Sequence, residues 1–218
     1  MNEPDKKFIE WVETLLDDKI SATKERYGDQ STVYRINTPH GNYFLKIASN
    51  LAAEREKLDW LNGRLPVPKV IGFANIEDKD ALLMSAIEGK NLAELKKGWS
   101  ADKVVDSLAE VLLRFHATDA KDCPFGEHGP NKILIHGDAC LPNFIFQSDV
   151  FSGYIDLGDA RIDTPDADLS ASVWSLQHNL GSGHGLRFLE KYGIKNATEE
   201  MVEKLRLQYE ETQRKWGL

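Results

Sequence analysis

His136-Gly-Asp138-Ala-Cys-Leu-Pro-Asn143, followed shortly by Tyr154-Ile-Asp156-Leu-Gly158, is the stretch on which the reading of this 218-residue chain turns. Asp138 and Asn143 lie five residues apart, and Asp156 comes thirteen after Asn143. The intervening segments, Ile133-Leu-Ile135, Phe144-Ile-Phe146 and Gly153-Tyr-Ile155, are apolar and strand-like. The polar residues therefore fall where short strands end, at the mouth of a site and not in a core.

That order and spacing suit transfer of a γ-phosphoryl group, in which positioning and charge neutralisation do most of the work. Asp138, a carboxylate at a loop apex, is suited to accept the proton of an acceptor hydroxyl. Asn143 and Asp156 offer the hard oxygens that Mg²⁺ takes alongside water and substrate phosphates. His136 reads as a brace of this catalytic loop more than as a base. The pattern matches the kinase loop H-x-D-x-x-x-x-N with a following Asp-x-Gly metal motif. Turn chemistry alone explains a single Asp or Asn between strands; it does not explain four positions agreeing.

A site of this kind also needs a lysine on a strand and a glutamate on the next helix. Ser31-Thr-Val-Tyr-Arg-Ile36 alternates as a strand, Thr38-Pro-His-Gly41 turns, and Asn42-Tyr-Phe-Leu-Lys-Ile47 returns with Lys46 upon it. The helical stretch Leu51–Asn62 carries Glu54 and Glu56. Either is a candidate to hold Lys46 toward the α- and β-phosphates; Glu56 is preferred, with Glu54 read as a solvated residue. Tyr27-Gly-Asp-Gln-Ser31 is not a G-x-G-x-x-G loop, so backbone N–H groups and the Ser31 or Thr32 hydroxyl are assigned to the phosphates. Ala81-Leu-Leu-Met-Ser-Ala86 reads as a buried strand running into a hinge at Ile87-Glu-Gly-Lys90. Backbone groups near Ser85 and Ile87 are candidates to bond adenine, and Phe44 to stack on it, with a core role equally open to Phe44.

These residues resemble the aminoglycoside phosphotransferase and choline kinase-like superfamily, most closely the aminoglycoside 3′-phosphotransferases. The resemblance also draws on Glu54-Arg-Glu-Lys57, Leu65-Pro-Val-Pro-Lys-Val70, Leu113-Arg-Phe-His116, Cys123-Pro-Phe125 and Lys191-Tyr-Gly-Ile194, and runs from about Ser31 to Ile194. It implies a two-lobed, protein-kinase-like α+β fold: an N-terminal lobe of antiparallel sheet plus helices, residues 1–86, and a mainly helical C-terminal lobe, residues 87–218. It further implies Asp138 as catalytic aspartate, Asn143 and Asp156 as magnesium ligands, Lys46 with Glu56 as phosphate anchor, and Asp168 as a support of the catalytic loop. ATP or GTP with Mg²⁺ is the implied donor system, and an aminoglycoside-like amino sugar the implied acceptor, with Asp159, Asp163, Glu210 and Glu211 as candidates for its ammonium groups. Another small alcohol as acceptor, or a nucleotide-binding module with little turnover, are the alternatives. Family members carry a long helical insertion after the Cys-Pro-Phe segment, where only Gly126–Lys132 stands here. Asp159 replaces a usual arginine, and Tyr209-Glu-Glu-Thr-Gln-Arg-Lys-Trp-Gly-Leu218 replaces the acidic-aromatic C-terminus that grips amino sugars.

A hydrophobic content of 41% over 218 residues is enough for a sizeable core. The net charge of −8 argues against nucleic acid as partner. No stretch approaches a membrane span, and Met1-Asn-Glu-Pro-Asp-Lys-Lys lacks a signal peptide's apolar core. With two cysteines, Cys123 and Cys140, a reduced cytoplasmic setting is expected, as a monomer or weak dimer. Pro4–Asp17 reads as an amphipathic helix with Phe8, Val12, Leu15 and Leu16 on one face. Ser100 is placed to cap a helix to about Ala117, with Val104, Leu108, Val111, Leu112 and Phe115 buried. Further helices are expected near Asp166–His178, Gly185–Tyr192 and Thr198–Lys215. Gly181-Ser-Gly-His-Gly185 has no preceding strand and reads as a loop.

Overall fold

A computed structural model describes residues 3–27 and 31–216. The chain forms two compact units, one of Met1–Gly63 with Val67–Ile87 and one of Arg64–Pro66 with Glu88–Leu218.

The first unit begins with helix α1 (Lys6–Leu16) and continues through β1 (Ser21–Tyr27), β2 (Ser31–Thr38), β3 (Gly41–Ala48), α2 (Ala52–Leu61), β4 (Val70–Ile76) and β5 (Lys79–Ser85). The strands make one antiparallel sheet in the order β1-β2-β3-β5-β4. Its core face carries Tyr34, Ile36, Leu45, Ile47, Ala81 and Leu83 against Phe8 and Val12 of α1. Leu15, expected on that buried face, is 41% exposed at the end of the helix. β1 was not expected: Ser-Ala-Thr-Lys-Glu-Arg-Tyr has no apolar alternation, and it belongs to the sheet as a charged edge strand through its backbone pairing with β2. The β4–β5 turn falls on Glu77 and Asp78, both with positive φ, as a tight hairpin turn requires.

Asp80 joins the sheet to α2. Its Oδ2 accepts the Leu51 N–H at 2.8 Å and its Oδ1 accepts Asn75 Nδ2 at 2.9 Å. The Leu51 amide, then Asn75, hold this buried carboxyl below the ordinary range. A carboxylate on the free N–H groups that open a helix is a favourable placement, worth about 1 kcal/mol. It fixes where α2 starts, and so where Glu54 lies.

In the second unit β6 (Lys90–Asn91) and the one-turn α3 (Leu92–Leu95) precede α4 (Ala101–His116). Ser100 Oγ accepts the Lys103 N–H at 3.2 Å, and Val104, Leu108, Val111, Leu112 and Phe115 are buried, as their helical spacing predicts. Then come β7 (Ile133–Ile135), a 3₁₀ turn (Leu141–Asn143), β8 (Phe144–Gln147), β9 (Val150–Tyr154) and β10 (Arg161–Asp163). β10 pairs with β7, and β8 lies between β6 and β9. The very short β6 and β10 escape a pattern-based reading. Helices α5 (Asp166–Leu180), α6 (Gly185–Tyr192) and α7 (Glu199–Trp216) complete the unit, with residues 181–184 as the loop between α5 and α6. No helix among the described residues is long and apolar enough to cross a membrane.

Candidate active site

In the first unit Lys46 Nζ donates to both carboxylate oxygens of Glu54, at 3.0 and 2.7 Å. The pair is largely withdrawn from solvent, with side-chain exposures of 14% and 10%. The partner is thus Glu54 and not the preferred Glu56, whose carboxylate is 56% exposed and meets Arg55 at 3.3 Å. Helix geometry decides this. Glu54, Leu58 and Leu61 follow an i, i+4, i+7 pattern and are the buried residues of α2, whereas Glu56 is turned away from that line. The signal was present in the sequence.

Strand parity sorts the remaining candidates of this unit. Val33 and Arg35 of β2 pair with Lys46 and Phe44 of β3, which pair in turn with Leu82 and Met84 of β5. Phe44 and Lys46 therefore share the face opposite the α1-packed core, with the Arg35 guanidinium 5.9 Å from the Phe44 ring centre. Ser31 belongs to that face. Thr32 shares the face of Tyr34 and Ile36, so its hydroxyl lies on the wrong side of the sheet for a group held by Lys46. At Ser85 the N–H donates to the Lys69 carbonyl and the Oγ accepts the Lys69 N–H, each at 2.9 Å, so its carbonyl is the group that stays a candidate for a base. Ile87, half-buried, remains. Of the expected phosphate turn, residues 28–30 lie outside the described residues.

In the second unit the loop after β7 is pinned from beneath. Asp168, fully buried near the start of α5, accepts the His136 N–H at 2.7 Å, the Gly137 N–H at 2.8 Å and His116 Nε2 at 2.8 Å. His116 Nδ1 lies 2.7 Å from the Tyr192 hydroxyl, so α4 and α6 reach the same loop through one buried chain. Gly137 has φ +89°, and a Cβ there would fall on the Asp159 carbonyl, which is why the position takes glycine. His136 is fully buried between the Phe115 and Phe144 rings, at centroid distances of 5.5 and 5.6 Å. Its Nδ1 accepts the Asp138 N–H at 3.4 Å, and its Nε2 has no hydrogen-bond partner among the described residues. Grouped with the catalytic residues from sequence, it is packed beneath the loop in the position of a brace.

Asp138 is held at both oxygens. Asn143 Nδ2 donates to Oδ2 at 2.9 Å and to the Asp138 carbonyl at 2.8 Å; the Tyr209 hydroxyl donates to Oδ1 at 3.3 Å. Because the Asn143 nitrogen is committed to Asp138, its amide oxygen is the atom it can offer a cation. The Ile155 N–H donates to the Asn143 carbonyl at 3.0 Å, which sets Asp156 beside it. Asp156 adopts φ +60°, uncommon outside glycine and concentrated at functional turns. An amide oxygen and a carboxylate on neighbouring segments are a donor set that fits Mg²⁺, which takes few protein ligands and completes its shell from phosphates and water.

A model of the phosphotransferase enzyme family matches residues 24–132 and 126–205. The chain belongs to this phosphotransferase family.

It is a phosphotransferase acting on a hydroxyl group, and it is similar to aminoglycoside 3′-phosphotransferases. One from Niallia circulans is 29% identical over 247 aligned positions, covering 88% of this chain and 94% of the relative. One from Escherichia coli is 26% identical, covering 76% and 80%. In fold the phosphotransferase is similar to aminoglycoside phosphotransferase APH(3'')-Id from Streptomyces rimosus, with a TM-score of 0.72, 21% identity and coverage of 91% and 94%. The kinase-like α+β architecture follows. An alignment of 247 positions exceeds the 218 residues of this phosphotransferase, so its Niallia relative carries segments that it lacks.

The acceptor candidates fare unevenly. Asp163 pairs with Ile133 at the far end of β7 from the catalytic loop and is bonded twice by Arg161, at 3.1 and 2.9 Å. Burial raises its carboxyl, but the Thr164 N–H and Arg161 prevail and hold it below the ordinary range. Glu211 is exposed and paired with Lys215 at 2.9 Å. Asp159 is exposed, with its backbone against Gly137. Glu210 lines an open depression of about 240 Å³ formed with Trp174, Gln177, His178 and Arg206. There it pairs with Arg206, which also meets Glu203 at 2.8 Å. Trp174 stacks on His178 at 4.9 Å and tilts against Tyr209 at 5.2 Å. Sequence reading missed Tyr209, Trp174 and Arg206, because no local pattern marks α5 and α7 as neighbours of Asp138.

The two glutamates of α2 provide a direct comparison. Glu54→Gln, which removes the carboxylate that accepts twice from Lys46, is expected to lower kcat/KM for ATP by about 10- to 100-fold. Glu56→Gln should stay within about twofold. Steady-state kinetics over a range of ATP concentrations measure both; equal losses would sever Glu54 from the phosphate-binding role.

Proposed function

We propose that this enzyme transfers the γ-phosphate of ATP to a hydroxyl of an aminoglycoside-like amino sugar. The observation that carries the reading is the Asp138 carboxylate, presented on a loop pinned by Asp168 and flanked by Asn143 and Asp156. Streptomyces rimosus APH(3'')-Id, similar in fold, has been solved with ADP and streptomycin, and a thermostable APH(4)-Ia mutant with AMP-PNP and hygromycin B. The relatives from Niallia circulans and Escherichia coli are aminoglycoside 3′-phosphotransferases, which supports the acceptor class.

In this reading the N-terminal unit binds the nucleotide, with Lys46 oriented by Glu54 toward the α- and β-phosphates and Phe44 against the base. Asp138 Oδ1 accepts the proton of the acceptor hydroxyl as its oxygen approaches the γ-phosphorus. Asn143 Oδ1 and Asp156 would hold Mg²⁺, which when bound neutralises charge on the β- and γ-phosphate oxygens. His136, Asp168 and His116 keep the loop in one geometry, so the base needs no reorganisation at the moment of transfer.

A second reading, phosphorylation of a less cationic alcohol, draws on the acceptor side. Arg206 and His178 line an open depression beside a single carboxylate, Glu210, and the region between Phe125 and Ile133 is short. A polyamine gains little from such a surface. Radiolabelled phosphate transfer from MgATP to a panel of aminoglycosides and of uncharged and zwitterionic alcohols decides between them. Incorporation into aminoglycosides well above the other alcohols supports the first reading; incorporation confined to the others replaces it with the second.

A further inference from the structure

Tyr209 reaches Asp138 from α7, 71 residues away in sequence. Its ring is 8% exposed and leans on Trp174, which lines the cavity beside it. Its oxygen lies 3.3 Å from Asp138 Oδ1 and 3.5 Å from Cys140 Sγ. Asp138 Oδ2 is already engaged by Asn143, so Oδ1 is the oxygen left for an incoming hydroxyl, and the tyrosine hydroxyl stands on it.

We propose that Tyr209 is a specificity-determining residue of the reaction: its hydroxyl holds the acceptor's place on Asp138 until an acceptor displaces it, and so denies that place to water. The inference rests on Asp138 being the base. A separation of 3.3 Å is long for an O–H···O bond, so the contact is weak enough to be displaced. Burial first, then Cys140 and Asp138, push the Tyr209 hydroxyl well above its ordinary value, so it remains a donor throughout the neutral range. An acceptor seated in the Trp174–Glu210 cavity has remote binding energy with which to move the ring aside; a water molecule has only its own hydrogen bonds. The suppressed side reaction is hydrolysis. The water oxygen bonds to the γ-phosphorus, its proton passes to Asp138, and the bond from the γ-phosphorus to the β–γ bridging oxygen breaks with its electron pair leaving on ADP.

The test is ADP release from MgATP without any acceptor, in wild type, Tyr209→Phe, Asp138→Asn and the double variant. Tyr209→Phe keeps the ring and loses only the hydroxyl. It is expected to raise kcat for hydrolysis about fivefold or more, with KM for ATP within about twofold. p-Aminophenylalanine at position 209, which restores a donor at the same place, should bring hydrolysis back toward wild type, a recovery that a merely structural ring would not produce. The double variant should fall to the level of Asp138→Asn. Hydrolysis by Tyr209→Phe at or below the wild-type rate, with Asp138→Asn still impaired, overturns the role of Tyr209 alone. If Asp138→Asn hydrolyses ATP as fast as wild type, both roles fall together.

Discussion

Asp138→Asn is expected to lower kcat for phosphoryl transfer by about 10²- to 10⁴-fold, the usual contribution of a positioned general base. The replacement keeps the shape of the side chain, so the loss is one of proton affinity. Oδ1 can still accept a hydrogen bond, but an amide does not take the proton that the acceptor hydroxyl must give up. The loop itself should survive, because its main supports act on the backbone: Asp168 accepts the His136 and Gly137 amides, and Asn143 also bonds the Asp138 carbonyl. Nucleotide affinity should therefore change by no more than about twofold, since Lys46 and Glu54 are untouched. Single-turnover transfer and equilibrium titration with a non-hydrolysable ATP analogue separate the two quantities. A variant that turns over at the wild-type rate would remove Asp138 from the chemistry.

The largest expected effect on stability belongs to Asp168. Its carboxylate is fully buried and accepts from two backbone amides and one imidazole. Asp168→Ala leaves three donors facing a dry cavity, each of which had given up water to be there, at a cost of about 3–5 kcal/mol. Asp168→Asn should rescue little. Whichever way the amide is turned, its NH₂ group meets a donor where an acceptor is needed. Asp159→Asn, on the exposed loop beside Gly137, is the contrasting change and should stay within about 0.5 kcal/mol. Urea unfolding of the three variants checks the ranking; a loss below about 1 kcal/mol in Asp168→Ala would show that the loop does not depend on this carboxylate.

Much of this was legible along the chain. The strands at Ile133–Ile135 and Phe144–Gln147 and the face of α4 follow from apolar periodicity, and the catalytic loop from the spacing of His136, Asp138 and Asn143. Glu54 was legible too, because Leu58 and Leu61 already marked the buried side of α2; choosing Glu56 neglected that period. Thr32 likewise could have been assigned to the core face by counting two residues to Tyr34. β1 was not legible, since an edge strand made of Ser, Thr, Lys, Glu and Arg owes its place to backbone pairing with β2, which leaves no side-chain pattern. Nor was the commitment of the Ser85 amide to Lys69, which depends on how β5 ends and not on what residue 85 is.

The sequence by itself determined which chemistry this protein performs. A carboxylate suited to act as a base, two side chains with hard oxygens and a glycine occupy one short span, and local spacing along strands and turns is enough to bring such groups together. What only the tertiary structure decided is what surrounds Asp138. Asp168 arrives from α5, His116 from α4 and Tyr209 from α7, and each hydrogen bond joins residues dozens of positions apart. No periodicity encodes such contacts. They exist because burying the apolar faces of those helices turns a few polar side chains inward, where each must find a partner or lose the hydrogen bonds it made with water.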